Sequence, residues 1–155
     1  MRKLIFGALA LIAHACLSLF AGETLENECM RIHFAGADEG FAVTSIVNKV
    51  AGDVRFVTRE TKPFRGTLSD LWRLEMSGSN ETGKITHYSI SNRTPARNKK
   101  AIREGSSLCF AFEGVQLRDG ELDVYADVSL PEGAAESEWR IRVVNRSKTW
   151  GVYYT

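Results

Sequence analysis

The chain has 155 residues, of which 20 are Lys or Arg and 19 are Asp or Glu. If an N-terminal export segment with Arg2 and Lys3 is removed, 20 − 2 = 18 basic residues remain against 19 acidic ones. This balance gives no long-range attraction to nucleic acid or to anionic membranes, so we expect neither as a partner. The 155 − 22 = 133 residues that remain suffice for one hydrophobic core and one domain.

Residues 1–22 have the pattern of an export signal. A short basic region is followed by an apolar run at residues 4–20, which contains His14 and Cys16 and is short for a transmembrane helix. We expect a helical signal peptide, cleaved after Ala15 or around Ala21. The mature chain, residues 23–155, is then secreted or periplasmic and has no membrane segment. Lipidation at Cys16 is the minor alternative.

After the signal, apolar and polar residues alternate in short segments, which is the pattern of half-buried β-strands. Residues 48–53 and the Asp119-Gly120 pair supply the turn residues that hairpins need. No segment has the periodicity of a three-turn amphipathic helix. We therefore predict an all-β fold, an antiparallel β-sandwich with strands at residues 30–34, 40–47, 54–57, 71–76, 86–90, 108–117, 122–130 and 139–143.

Three parts of this pattern lead to specific expectations. Basic residues crowd residues 93–103, where we predict a solvated loop, the alternative being a site for an anionic polysaccharide. Trp139 alternates in phase with Ile141 and Val143, so we predict that it points into the core. The chain ends within an aromatic, strand-like segment at residues 150–154, so we expect the sandwich to be incomplete at its C-terminus.

Cys29 and Cys109 remain after the signal is removed, and two alternatives stay open: one disulfide or two unpaired thiols. N-x-S/T sequons, which accept glycans in a eukaryotic secretory route, occur at Asn80, Asn92 and Asn145.

His33 and His87 are predicted as exposed strand residues. No spacing in the sequence matches a metal site, a nucleophile motif or a phosphate-binding loop. We therefore expect no metal, no cofactor and no catalytic residue in this chain.

Carbohydrate chemistry would need paired carboxylates or exposed aromatic rings. Asp123 and Asp127 share a face of one strand, but four residues at about 3.3 Å each place them about 13 Å apart. Glycoside hydrolysis requires about 5 to 9.5 Å. We predict that the two form a solvent-facing stripe with Tyr125 between them, the alternative being a sugar-contacting face. The side chains expected to contact carbohydrate are those of Trp72, Tyr125 and Trp150.

Several segments resemble the N-terminal region of large secreted bacterial glycosidase-like proteins. They are residues 25–28, 30–34, 41–52, 71–75 and 138–147, and residues 45–52 follow a Ser-Ile-x-Asn-Lys-x-x-Gly pattern. In that group a galactose-mutarotase-like sandwich, or supersandwich, precedes a TIM-barrel catalytic domain. The resemblance implies a non-catalytic module that supports or contacts a downstream barrel, with carbohydrate and that domain as partners. The alternative is an extracellular carbohydrate-binding or adhesion module with no enzyme attached.

Overall fold

The computed structural model describes residues 22–58, 70–79 and 82–154. The predicted signal peptide, except Gly22, and the sequon at Asn80 lie outside these residues. Within them the structure has one three-residue 3-10 helix, Ala37–Glu39, and no helix long and apolar enough to cross a membrane. The eleven strands are β1 (Glu23–Glu26), β2 (Met30–Phe34), β3 (Val43–Asn48), β4 (Val54–Thr58), β5 (Arg73–Ser79), β6 (Ile85–Ser91), β7 (Ala96–Glu104), β8 (Ser107–Gln116), β9 (Glu121–Ser129), β10 (Glu138–Asn145) and β11 (Trp150–Tyr154).

The strands form three sheets around one hydrophobic core. One sheet has the order β1-β2-β3-β4, the second β10-β9-β8-β7 and the third β11-β5-β6. Every pair of hydrogen-bonded neighbours is antiparallel. The predicted all-β fold with antiparallel sheets is therefore confirmed.

The β8–β9 hairpin supplies the centre of the core. One face of β9 is apolar and buried, as the alternation in the sequence predicts. Its members are Leu122, Val124, Ala126 and Val128, and Leu130 continues the alternation directly after the strand. The neighbouring strand β8 adds Leu108, Phe110 and Phe112 to the same interior. Burying one side chain of the size of Val, Leu or Phe stabilises a fold by about 1.5–3 kcal/mol, so this hairpin contributes much of the hydrophobic stabilisation.

Both predicted hairpin turns are confirmed. In the β3–β4 turn, the Ala51 N–H donates to Asn48 Oδ1 over 3.0 Å, and Gly52 has a φ of 78°. In the β8–β9 turn, the Leu117 N–H donates to the Gly120 carbonyl over 3.1 Å, and Gly120 has a φ of 89°. Glycine adopts these positive φ angles without the steric penalty of a Cβ, which explains why the two turns were recognisable from sequence.

The strand predicted from residue 40 begins only at Val43. Gly40 and Phe41 instead have φ angles of 67° and 53° in a turn that follows the 3-10 helix. A Cβ on Gly40 would lie 2.1 Å from the Asn92 carbonyl oxygen, so no larger residue fits there. Phe41 adopts an unfavourable backbone conformation, which its buried ring offsets by packing 4.9 Å from the ring of Phe110.

The predicted solvated loop at residues 93–103 is wrong, because most of this segment forms the edge strand β7. Several of its charges are paired with acidic residues of other strands. Lys100 Nζ lies 2.8 Å from Glu113 Oε1, and Arg103 Nη2 lies 2.9 Å from Glu23 Oε2. Long basic side chains also protect an edge strand from pairing with another chain. The basic run is therefore a feature of the sheet and its ion pairs.

The prediction that Trp139 points into the core is also wrong, because its side chain is 41% exposed. The side of β10 that the alternation assigned to the apolar residues was correct, since Val143 in the same alternation packs against the core. β10 is an edge strand of its sheet, however, and Ile141 in the same alternation is also 39% exposed. Trp139 keeps one tilted contact, with its ring 6.0 Å from that of Phe34.

Candidate functional site

The side of sheet β10-β9-β8-β7 that faces away from the core is the strongest candidate for a binding surface. We call it the outer face. The strand register brings Asp123, Tyr125 and Asp127 of β9 to this face, next to side chains from the three other strands. These neighbours are Lys100, Ile102 and Glu104 of β7, Cys109, Ala111 and Glu113 of β8, and Glu138, Arg140 and Arg142 of β10.

Tyr125 lies in the middle of the outer face and is half-buried. The guanidinium carbon of Arg142 lies 4.9 Å from the centre of its ring, a cation–π contact that holds the ring in place. Ala111, the cross-strand partner of Tyr125, has a small side chain that leaves room beside the ring. The result is a positioned aromatic ring surrounded by polar groups.

Ion pairs organise the carboxylates of the outer face. Arg142 Nε donates to Asp127 Oδ2 over 3.1 Å. The pKa of Glu113 is lowered by hydrogen bonds from Lys100 and Asn98. Burial alone would raise the pKa of Asp127, but hydrogen bonds from Cys109 and Arg142 outweigh it and the pKa is lowered. These groups therefore stay ionised near neutral pH.

Asp123 is not part of a solvent-facing stripe, and this part of the prediction is wrong. It shares the outer-face side of β9 with Tyr125 and Asp127, but it is only 4% exposed and is therefore buried. The register of β8 shifts between Phe112 and Val115, and the bulge turns the Gly114 N–H toward Asp123 Oδ1 at 2.8 Å. This backbone hydrogen bond and the Arg146 side chain lower the pKa of Asp123.

A groove of about 640 Å³ opens at one end of the outer face, where β8 begins and β9 ends. Cys109 and Asp127 lie along it, with Glu104, Glu138 and Arg140 at its sides. Burial first, and then the hydrogen bond to Asp127, raise the pKa of the Cys109 thiol to about 11. A protonated thiol is a poor nucleophile, so the groove has the character of a polar binding surface. Cys109 and Cys29 are both free thiols.

The three predicted carbohydrate contacts do not lie together. Tyr125 is on the outer face, but Trp72 is 2% exposed and packs edge-on against Phe112 with ring centres 5.2 Å apart. Trp150 is 7% exposed and packs against Tyr88, with ring centres 4.7 Å apart. Of the three, Tyr125 is therefore the one that belongs to the outer face.

The two histidines have different surroundings. His87 is exposed, as predicted, and its ring lies 5.3 Å from that of Tyr153. His33 is half-buried, and its Nδ1 lies 2.8 Å from the Thr24 hydroxyl. Among residues 22–58, 70–79 and 82–154, no group of three or more His, Cys, Asp or Glu side chains is arranged to hold a metal ion.

No family model matches this chain, and no curated protein or solved structure matches it. The inference of function therefore depends on the sequence, the fold and the outer face with its groove.

Proposed function

We propose that this chain is a non-catalytic β-sandwich module of a secreted, glycoside hydrolase-like protein, and that it contacts carbohydrate through the outer face. In this proposal, glycoside chemistry belongs to a catalytic barrel in the same protein. The observation that carries the proposal is the ring of Tyr125, held at the centre of an open, polar sheet face that continues into the groove.

Tyr125 and its surroundings suit the chemistry of a sugar. A pyranose ring has an apolar side that packs on an aromatic ring and hydroxyls that need hydrogen-bond partners. The groove next to Tyr125 offers both donors and acceptors, including the guanidinium of Arg140 and the carboxylates of Glu104 and Glu138. A few oriented polar groups around an apolar contact are typical of small-molecule sites.

The electrostatics of the carboxylates support a non-catalytic role. A glycosidase needs one carboxyl group whose pKa is raised, so that it can donate a proton near neutral pH. In this chain the pKa values of Asp123, Asp127 and Glu113 are shifted downwards by their hydrogen bonds with basic side chains and backbone. These groups act as hydrogen-bond acceptors that hold the sheet and its surface in place.

The proposal is tested by affinity electrophoresis of the exported chain through gels containing neutral polysaccharides such as xylan, mannan, galactan and mixed-linkage glucan. At least one polysaccharide should retard the chain, and Tyr125→Ala should abolish the retardation. Tyr153→Ala is the matched control, because Tyr153 is a 72% exposed tyrosine on β11, in another sheet. The control variant should migrate like the unmodified chain.

Circular dichroism of both variants establishes that they remain folded. Hydrolysis of the same polysaccharides is measured in parallel by release of reducing ends, and we expect no release above the buffer blank. The proposal is contradicted if no polysaccharide retards the chain, or if the two tyrosine variants lose binding equally. Turnover that a single Asp or Glu substitution abolishes would contradict the non-catalytic part.

A further inference from the structure

A second groove, of about 730 Å³, lies between the third sheet, at Ser79 and Thr86, and the β8–β9 turn. We call it the Arg118 groove. Its lining includes the hydroxyl-bearing side chains of Ser79, Thr86 and Thr149, the carboxylate of Asp119, the edge of Trp150 and the guanidinium of Arg118. It shares no residue with the groove on the outer face.

Arg118 is held in place by two aromatic rings. Its guanidinium carbon lies 4.6 Å from the ring centre of Tyr88 and 5.7 Å from that of Trp150. The Arg118 backbone N–H also donates to the Tyr88 hydroxyl over 3.3 Å. A guanidinium that is already fixed loses less conformational entropy when it binds a ligand.

The aromatic support is itself built into the sheet. The rings of Tyr88 and Trp150 meet edge to face, at an interplanar angle of 81°. A Cβ on Gly78 would lie 2.6 Å from the Trp150 ring, so the glycine lets this ring lie directly on β5. Trp150, which was expected from the sequence to contact carbohydrate, therefore serves to position Arg118.

Arg118 forms no ion pair with a carboxylate in the part of the chain that the structure describes. Six other arginines in that part form ion pairs with carboxylates, namely Arg31, Arg93, Arg97, Arg103, Arg142 and Arg146. Arg118 has none, and the adjacent Asp119 accepts a hydrogen bond from the Thr149 hydroxyl over 2.8 Å. The planar donor groups of an exposed, positioned guanidinium thus remain available at the groove.

We infer that the Arg118 groove binds the anionic group of an acidic polysaccharide, with Arg118 donating to a uronate carboxylate or a sulfate. A guanidinium donates two parallel hydrogen bonds to such a planar or tetrahedral oxyanion. The hydroxyls of Thr86, Thr149 and Ser79 and the Asp119 carboxylate match sugar hydroxyls beside it. The choice of a glycan as carrier rests on the proposed function, whereas the anion site rests on Arg118 itself.

The test uses affinity electrophoresis of the full exported chain in gels containing polygalacturonate, dextran sulfate, neutral dextran or polyglutamate. Polygalacturonate and dextran sulfate separate the two sources of the oxyanion, and polyglutamate presents carboxylates without sugar. At least one acidic polysaccharide should retard the chain more than dextran does. Arg118→Gln should weaken that binding at least about tenfold, because a bidentate charged contact is lost.

Arg118→Lys keeps the charge but loses the planar fork, and we expect it to weaken binding by about threefold to tenfold. The matched control is Arg73→Gln, which changes the charge equally at the far end of β5, six residues or about 20 Å from Ser79. Arg73→Gln should bind like the unmodified chain. Thermal melts identify any variant that fails to fold, and Arg118→Lys then serves as the deciding variant.

The inference is overturned if acidic polysaccharides retard the chain no more than dextran, or if Arg118→Lys, Arg118→Gln and Arg73→Gln have equal effects. It is also overturned if polyglutamate binds as well as the acidic polysaccharides, since the groove then selects an acidic peptide. Retardation by neutral polysaccharides that depends on Tyr125 tests the proposed function and not the Arg118 groove. It leaves the proposed function intact when the Arg118 result is negative.

Discussion

Asp123 is a buried carboxylate on β9, and replacing it by alanine should destabilise the protein strongly. The variant loses the acceptor of the buried Gly114 N–H, a 2.8 Å hydrogen bond. Leaving a buried donor unsatisfied costs about 1–3 kcal/mol. It also loses the ion pair with Arg146, whose side chain is 54% exposed and regains water, so this part is about 0.5–1 kcal/mol. Together, Asp123→Ala should lower the free energy of unfolding by about 1.5–4 kcal/mol.

Urea denaturation followed by tryptophan fluorescence measures this loss. Asp127→Ala is the matched control, because Asp127 is on the same strand and pairs with Arg142 while its side chain is 36% exposed. The control should lose less than about 1 kcal/mol. Asp123→Asn keeps an oxygen acceptor for Gly114 and should fall between the two. Equal losses for Asp123→Ala and Asp127→Ala would refute the argument that the bulge hydrogen bond makes Asp123 structural.

Three further predictions concern single side chains. Hydrogen bonds from Arg31 and Lys49 lower the pKa of Glu26 to about 2. The ionised Glu26 carboxylate therefore stabilises the fold above pH 4.5, and this stabilisation is lost as the pH falls toward 2. Denaturation curves across that window should show a smaller pH dependence for Glu26→Gln, and an unchanged slope would refute it. Ellman's reagent at pH 8 should label Cys109 more slowly than Cys29 because the pKa of Cys109 is raised to about 11, and equal rates would contradict this. Asn92 is fully buried, and its Nδ2 donates to the Gly40 carbonyl over 2.8 Å. Mass spectrometry of the folded chain from a eukaryotic host should therefore find the Asn92 sequon without a glycan. A glycan on Asn92 in folded protein would contradict the burial.

The parts of the fold that were predictable depend on local sequence. The buried face of β9 repeats every second residue, and the β8–β9 turn is marked by Asp119-Gly120. Trp139 shows the limit of such patterns, because alternation determines which side of a strand a residue takes but not whether another sheet covers it. The basic segment was misassigned for a similar reason. Arg103 pairs with Glu23, which is 80 residues away in sequence.

The candidate sites were predictable only in part. Tyr125 and Asp127 were expected on one solvent-facing side of a strand, and both lie on the outer face. Asp123 lies on the same side of the strand but is buried, because a bulge in the neighbouring strand brings the Gly114 N–H to its carboxylate, and the sequence pattern of β9 contains no sign of that bulge. Nothing in the sequence indicated Arg118 as a site residue, because a single arginine in a turn is positioned only by Tyr88, which lies 30 residues earlier.

The most direct test of the proposed function is a nitrogen-15 NMR titration of the exported chain with an oligosaccharide derived from the neutral polysaccharide that retards it most strongly. The account predicts saturable shifts of backbone amides in β9 and β10 around Tyr125 and Arg142, together with those of Cys109 and Asp127 at the groove. Amides of β11 and of the β3–β4 turn should stay unchanged. Shifts confined to other surfaces, or no saturable shift in the outer face, would contradict the account.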